Sequence, residues 1–116
     1  MMCWTCETAE VRRRCYTKYA VYELTCRQCH AKYVGQTTST VRSRIREHVT
    51  SASSAFFRHV MECHQSIPQE CLRWRILRIE RDGVARLALE SLEIGKRDHL
   101  VNDCSGEQLL PFLAVA

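Results

Sequence analysis

The sequence predicts an α+β domain, a small three-stranded antiparallel sheet flanked by helices in the order β-β-α-α-β-α. Three observations carry that expectation. Residues 18–25 (KYAVYELT), 31–35 (AKYVG) and 72–80 (LRWRILRIE) are rich in β-branched and aromatic residues and read as strands. Val41, Ile45 and Val49 recur at the four-residue spacing of an amphipathic helix. A chain of 116 residues with 46% hydrophobic content has material for one modest core, not two.

Taken in order, residues 1–15 follow neither period and hold Cys3, Cys6, Cys15 and the Arg12-Arg13-Arg14 run. They read as a lead-in or linker whose arginines form a solvated basic arm. The domain itself is expected over residues 16–106, with a short apolar tail at 107–116. The first two strands are joined by Cys26 to Ala31, a hairpin connection built around Cys-Arg-Gln-Cys. Ser39 and Thr40 are N-cap material for the first helix. A second helix is expected over 53–63, with Phe56, Phe57 and Val60 inward, until Ser66-Ile67-Pro68 interrupts. In the third strand Arg73 and Arg75 alternate and so share a face. Asp82-Gly83 makes a turn into the longest helix, residues 84–99, followed by LVND.

The charge balance, 17 Lys+Arg against 13 Asp+Glu, permits a polyanionic partner without demanding one. Arginine dominates the cations, and arginine is the better bidentate phosphate ligand. No run is long enough to span a bilayer, so no membrane partner is expected. Eight cysteines could signal secreted disulfides, but the N-terminus lacks the apolar stretch of a secretory signal. Two C-x2-C pairs with histidines downstream point instead to thiolates, zinc and an intracellular location.

Cys26 and Cys29 set two thiolates on one side of a knuckle, and His59 with His64 supply the H-x4-H half of a tetrahedral zinc site. A whole helix separates the halves, where a nucleic-acid-binding finger has only about 12–15 residues. The pattern therefore reads as a clamp pinning the hairpin to the second helix. Cys63 can replace His64, His30 is a further competitor, and buried thiols without metal are the plain alternative. Cys3, Cys6 and Cys15 suggest a weaker second site, with Cys71 or Cys104 as a fourth ligand.

Phosphodiester hydrolysis needs a carboxylate-held divalent metal, a cationic clamp on the phosphate and a group that activates water. Tyr22 and Tyr33 fall on adjacent strands, and Arg44 and His48 share one helix face at i, i+4. Glu90 sits between Leu87 and Ile94, an odd place for a carboxylate with no role. Glu93, with Lys96 and Arg97 at i+3 and i+4, reads as an exposed, salt-bridged bystander. Each residue alone also fits ordinary packing or surface duty, and Glu90 can simply pair with Arg86. Arg42, Arg46, Arg73 and Arg75 are candidate nucleic-acid contacts.

This ordered set resembles a GIY-YIG endonuclease domain, and is most similar to the branch carried by Penelope-like retroelements. The first motif appears as Ala20-Val21-Tyr22, the second as Tyr33-Val34-Gly35, and the arginine-histidine motif as Arg44-Ile45-Arg46-Glu47-His48. The cysteine pair lies between the two motifs and HVMECH follows them. Ala20 replaces the first motif's glycine, which a strand backbone tolerates. The resemblance implies a DNA nickase using Mg²⁺ or Mn²⁺, with structural zinc. Glu90 would hold the metal and Arg44 would steady the scissile phosphate. Tyr22 would activate or position water, with Tyr33, His48 and the late asparagine, Asn102, in support. It further implies a nuclear workplace and a reverse transcriptase as partner, primed by the nick. The alternatives are an inactive nucleic-acid-binding module on the same fold, and a zinc-stapled protein-interaction domain suggested by the apolar tail.

Overall fold

A computed structural model describes residues 14–101. The expected α+β architecture is present. Strands β1 (Ala20–Cys26), β2 (Lys32–Thr37) and β3 (Leu72–Ile79) form one antiparallel sheet in the order β2-β1-β3. Helix α1 (Val41–Thr50), helix α2 (Ala55–His59) and a π-helical turn (Val60–His64) follow β2. A single helical turn, α3 (Pro68–Cys71), leads into β3, and α4 (Gly83–Gly95) comes last. The expected helix over 53–63 is thus split between α2 and the π turn, and Phe57 is only half-buried. α3 was not expected from the sequence; Pro68 breaks the preceding run yet starts a helical turn, where its missing N–H costs nothing.

β1 is the central strand and every one of its residues is buried. The register sets Tyr22 opposite Gly35 and Ile76, and Leu24 opposite Tyr33 and Trp74. These side chains share the sheet face that packs on α1 and α2 through Val41, Ile45, Val49, Phe56 and Val60. Burying residues of this size contributes about 1.5–3 kcal/mol each. Thr40 caps α1 by accepting from Ser43 N at 3.2 Å, and Ser54 caps α2 by accepting from Phe57 N at 3.4 Å. A bulge at Val21/Tyr22 lets β3 carry one extra residue, Leu77, against β1.

The opposite face is held differently. α4 turns charge inward: Arg86 and Glu93 are its buried residues, while Val84, Leu87 and Leu92 are exposed. Arg86 donates to Gln36 Oε1 of β2 at 2.6 Å and to the Glu80 carbonyl at 3.0 Å. Glu23, 3% exposed on β1, accepts from Arg75 at 2.8 Å and from Arg97 at 2.7 Å. Arg97 also donates to Glu93 at 3.0 Å, tying the end of α4 to the sheet. This corrects the expectation for Glu93: it is ion-paired as expected, but buried rather than exposed. The physical reason is that its arginine partner is anchored by the buried Glu23, which draws the pair against the sheet.

Gly35 has no room for a side chain. A Cβ there would fall 2.5 Å from Tyr22 Oη and 2.9 Å from the Tyr33 ring. Tyr22 is fully buried, so its ring has nowhere to retreat. Gly35→Ala should therefore lower unfolding stability by about 1–3 kcal/mol, read from urea denaturation. An unchanged midpoint would mean that the ring moves freely.

Candidate active site and metal clamp

Tyr22, Tyr33, Arg44 and His48 converge where the inner sheet face meets α1. The Tyr22 hydroxyl lies 2.8 Å from His48 Nε2, and the other imidazole nitrogen, Nδ1, lies 2.7 Å from Ser54 Oγ. The Tyr33 and His48 rings meet edge to face with centroids 4.7 Å apart. Arg44 and His48 do share one side of α1, as their spacing requires, and His48 is buried there. Arg44 pairs with Glu47 at 2.8 Å, while its Nε is buried with no hydrogen-bond partner among the described residues. Tyr33, Arg44 and His48 also line a cleft of about 290 Å³ with Glu47, Ser53 and Arg58.

Electrostatics link Glu90 to the same place. Burial raises its carboxyl above the usual range, and the Arg44 guanidinium pulls it partly back. Burial, and then Tyr33, push the Tyr22 phenol well up, with Arg44 opposing. Burial likewise raises Tyr33. Burial, with the Arg44 charge second, pushes His48 down to about 4, so the imidazole is neutral at pH 7. The site at rest holds a neutral imidazole, neutral phenols and one strong cation. Leu87, expected to wall Glu90 with apolar contact, is instead 52% exposed. Nor does Arg86 pair with Glu90; its Nε donates to Gln36 and its Nη1 to the Glu80 and Arg81 carbonyls.

The remaining candidates disperse. Arg46 is exposed on α1, and Arg42 donates to the Tyr16 hydroxyl at 2.5 Å. Arg73 and Arg75 do share a face, the one opposite Tyr22, where Arg75 is engaged by Glu23. Asn102, Cys3, Cys6, Cys104 and the apolar tail lie outside the described residues. Ser54 and Glu23 were not singled out by sequence. Ser54, expected inside the helix over 53–63, is instead its N-cap, whereas Glu23, in an apolar strand, carried only the oddity of its charge.

The expected zinc quartet assembles. One ligand atom from each of Cys26, Cys29, His59 and His64 lies within 4.8 Å of the other three. Cys29 Sγ is 3.3 Å from His59 Nε2, and His64 Nε2 is buried without a hydrogen-bond partner among the described residues. The donor set, two soft thiolates and two imidazoles, fits Zn²⁺. Local backbone explains the convergence. In a regular α-helix at about 100° per residue, His59 and His64 would point about 140° apart. The π turn over Val60–His64 unwinds that angle and brings the rings to 4.9 Å. On the hairpin side, His30 takes a positive φ of 64° and its N–H bonds the Cys26 carbonyl at 2.7 Å, closing the knuckle. His30 and Cys63 stand outside the quartet.

A family model described as the GIY-YIG catalytic domain matches residues 18–91, which run from before β1 to just past Glu90. No curated protein and no solved structure matches the chain.

Two outcomes follow from this geometry. Cys26→Ser, or chelation of zinc from the wild type, should lower Tm on the order of 10 °C, with metal content read alongside. Equal melting with and without metal would remove the clamp. The second concerns His48. Its folded pKa lies below the unfolded value, so its contribution is complete above about pH 6.5 and is lost as pH falls toward about 4. Between pH 7 and pH 4.5 the wild type should lose on the order of 2 kcal/mol more than His48→Gln, measured by urea denaturation. Parallel pH curves would contradict it.

Proposed function

The chain belongs to the GIY-YIG catalytic-domain family, a nuclease family, and on that premise we propose that it is a metal-dependent DNA endonuclease that makes single-strand nicks. The observation that carries this reading is the meeting of His48, Arg44 and Tyr33 at one cleft, with the buried Tyr22 hydroxyl 2.8 Å from His48 and Glu90 electrostatically in reach.

Glu90 is the residue that would hold Mg²⁺ or Mn²⁺, and a single carboxylate suffices where substrate phosphate and water complete the shell. When bound, that ion supplies Lewis-acid neutralisation of the phosphate. Arg44 is placed to clamp the scissile phosphate. Its present partner, Glu47, is an exposed i, i+3 pair of the kind worth no more than about 1 kcal/mol, so a phosphate can displace it.

Tyr22 stays protonated at neutral pH, so it serves water as a relay rather than as a phenolate. Its oxygen takes a proton from the attacking water as its own proton passes to neutral His48 Nε2. The new P–O bond forms as the bond to O3′ breaks, and O3′ is protonated from solvent. The arriving phosphodiester charge raises the histidine's proton affinity in a dry site. Tyr33 packs edge-on against the imidazole and keeps water from its flank.

The cysteine pair between the two motifs and the histidine pair after them support a retroelement origin. In that setting the nick leaves a 3′ hydroxyl to prime a reverse transcriptase on nuclear DNA. Exposed Arg46 and Arg73, with Arg42 and Arg75, are proposed to contact flanking phosphates. An inactive binding module would use those arginines alone.

The test is supercoiled plasmid with zinc-loaded protein and Mg²⁺ or Mn²⁺. Wild type should nick it, and Glu90→Ala and Arg44→Ala should each lose on the order of 10²–10³-fold or more while staying folded. A folded, zinc-containing wild type that binds DNA in low salt but never nicks would overturn the enzyme reading in favour of the binding module.

A further inference from the structure

We propose that Ser54 is a positioning residue for the nicking reaction. Its hydroxyl oxygen holds His48 Nδ1–H, leaving Nε2 bare to receive the Tyr22 proton. This rests on the nuclease reading above.

The direction of the hydrogen-bond chain follows from who can accept. Tyr22 is buried and protonated, so its O–H must donate. Arg44, the cation beside it, carries donors only. Nε2 of His48, at 2.8 Å, is the acceptor in place, so the neutral ring must carry its own proton on Nδ1. Nδ1 then donates across 2.7 Å to Ser54 Oγ. The same oxygen accepts from Phe57 N as the N-cap of α2, filling both lone pairs. In the opposite tautomer Nε2–H would point at Tyr22, and the imidazole could not take a proton from it.

The position of Ser54 also joins the two centres of the domain. The helical segment it caps runs without a break through α2 into the π turn, and that segment carries His59 and His64. Phe56, two residues in, is fully buried in the core. The zinc clamp thus fixes the far end of the segment whose near end orients the catalytic histidine. The metal needs no contact with substrate to matter for the rate.

The test separates capping from positioning. Glycine is a tolerable N-cap, within a few tenths of a kcal/mol of serine, but has no side-chain acceptor. Aspartate caps as well as serine and accepts from Nδ1–H with a full charge. In zinc-loaded, folded protein, Ser54→Gly should slow nicking on the order of 10- to 100-fold with DNA affinity unchanged, by analogy with histidines that lose their orienting partner. Ser54→Thr should recover most of the rate. Ser54→Asp should recover rate too, but its carboxylate stabilises the imidazolium, so the acid limb of the pH profile should move to higher pH.

Ring ¹⁵N shifts of His48 give a readout that needs no activity. The wild type should be the Nδ1–H tautomer and Ser54→Gly a mixture. If the wild type never nicks but the tautomer depends on Ser54, the positioning stands and the nuclease reading falls. If Ser54→Gly keeps the tautomer, or nicks at the wild-type rate, the positioning falls whatever the wild type does. An unshifted pH limb in Ser54→Asp would also overturn it.

Discussion

The Tyr22 ring lies across the bare backbone of Gly35, and the hydrogen-bonded chain from Tyr22 through His48 to Ser54 follows from that contact. A methyl group at Gly35 would sit 2.5 Å from the phenol oxygen, so the ring can occupy its place only because glycine faces it across the strand pair. With the ring seated there, its hydroxyl meets His48 on α1, and His48 in turn meets Ser54 at the start of α2. A glycine in a strand usually weakens it. Here it admits a side chain that bridges the sheet to two helices.

β1 is buried on both faces but held by different forces on each. The inner face is apolar around its one polar chain, and packing against α1 and α2 gives it a single well-defined arrangement. The outer face is secured by charge. Burial alone pushes the Glu23 carboxyl up, but bonds from Arg75 and Arg97 overcome it and leave the group below its usual range. Removing one partner from such a cluster costs more than the cluster contributes, since an uncompensated charge remains. That asymmetry explains how α4 can dock with Leu87 and Leu92 outward. Arg86, Glu93 and the following Arg97 do the fastening, and the docked helix brings Glu90 toward Arg44.

Much of this was legible in the sequence because it depends on local spacing. The three strands, the Thr40 cap, the shared face of Arg44 and His48, and the cysteine-histidine quartet all follow from period or motif. What was not legible depends on which partner an element meets. The periodicity of α4 placed Leu87 and Ile94 beside Glu90, but whether that stripe faces the core is decided by β2 and Glu23, distant in sequence. The same partner decided the burial of Glu93. The π turn is invisible to pattern reasoning because no residue period announces one short stretch of wider winding. Ser54 fell inside the expected helix over 53–63, and its bond to His48 belongs to a histidine on another helix.

The disposition of polar groups argues for chemistry over mere binding. A surface that only grips a phosphate backbone is served by exposed arginines, and Arg46 and Arg73 are exposed already. Tyr22 and His48 are buried and neutral at pH 7, so they bring no charge with which to grip a phosphate backbone. Desolvation holds the imidazole neutral and the phenol protonated, which subtracts from stability at low pH without adding a cation for DNA. Such groups serve a task that needs a dry, neutral proton acceptor beside a strong cation. The phosphodiester hydrolysis proposed above is such a task, because the cation would meet developing charge while the acceptor removes a proton from water.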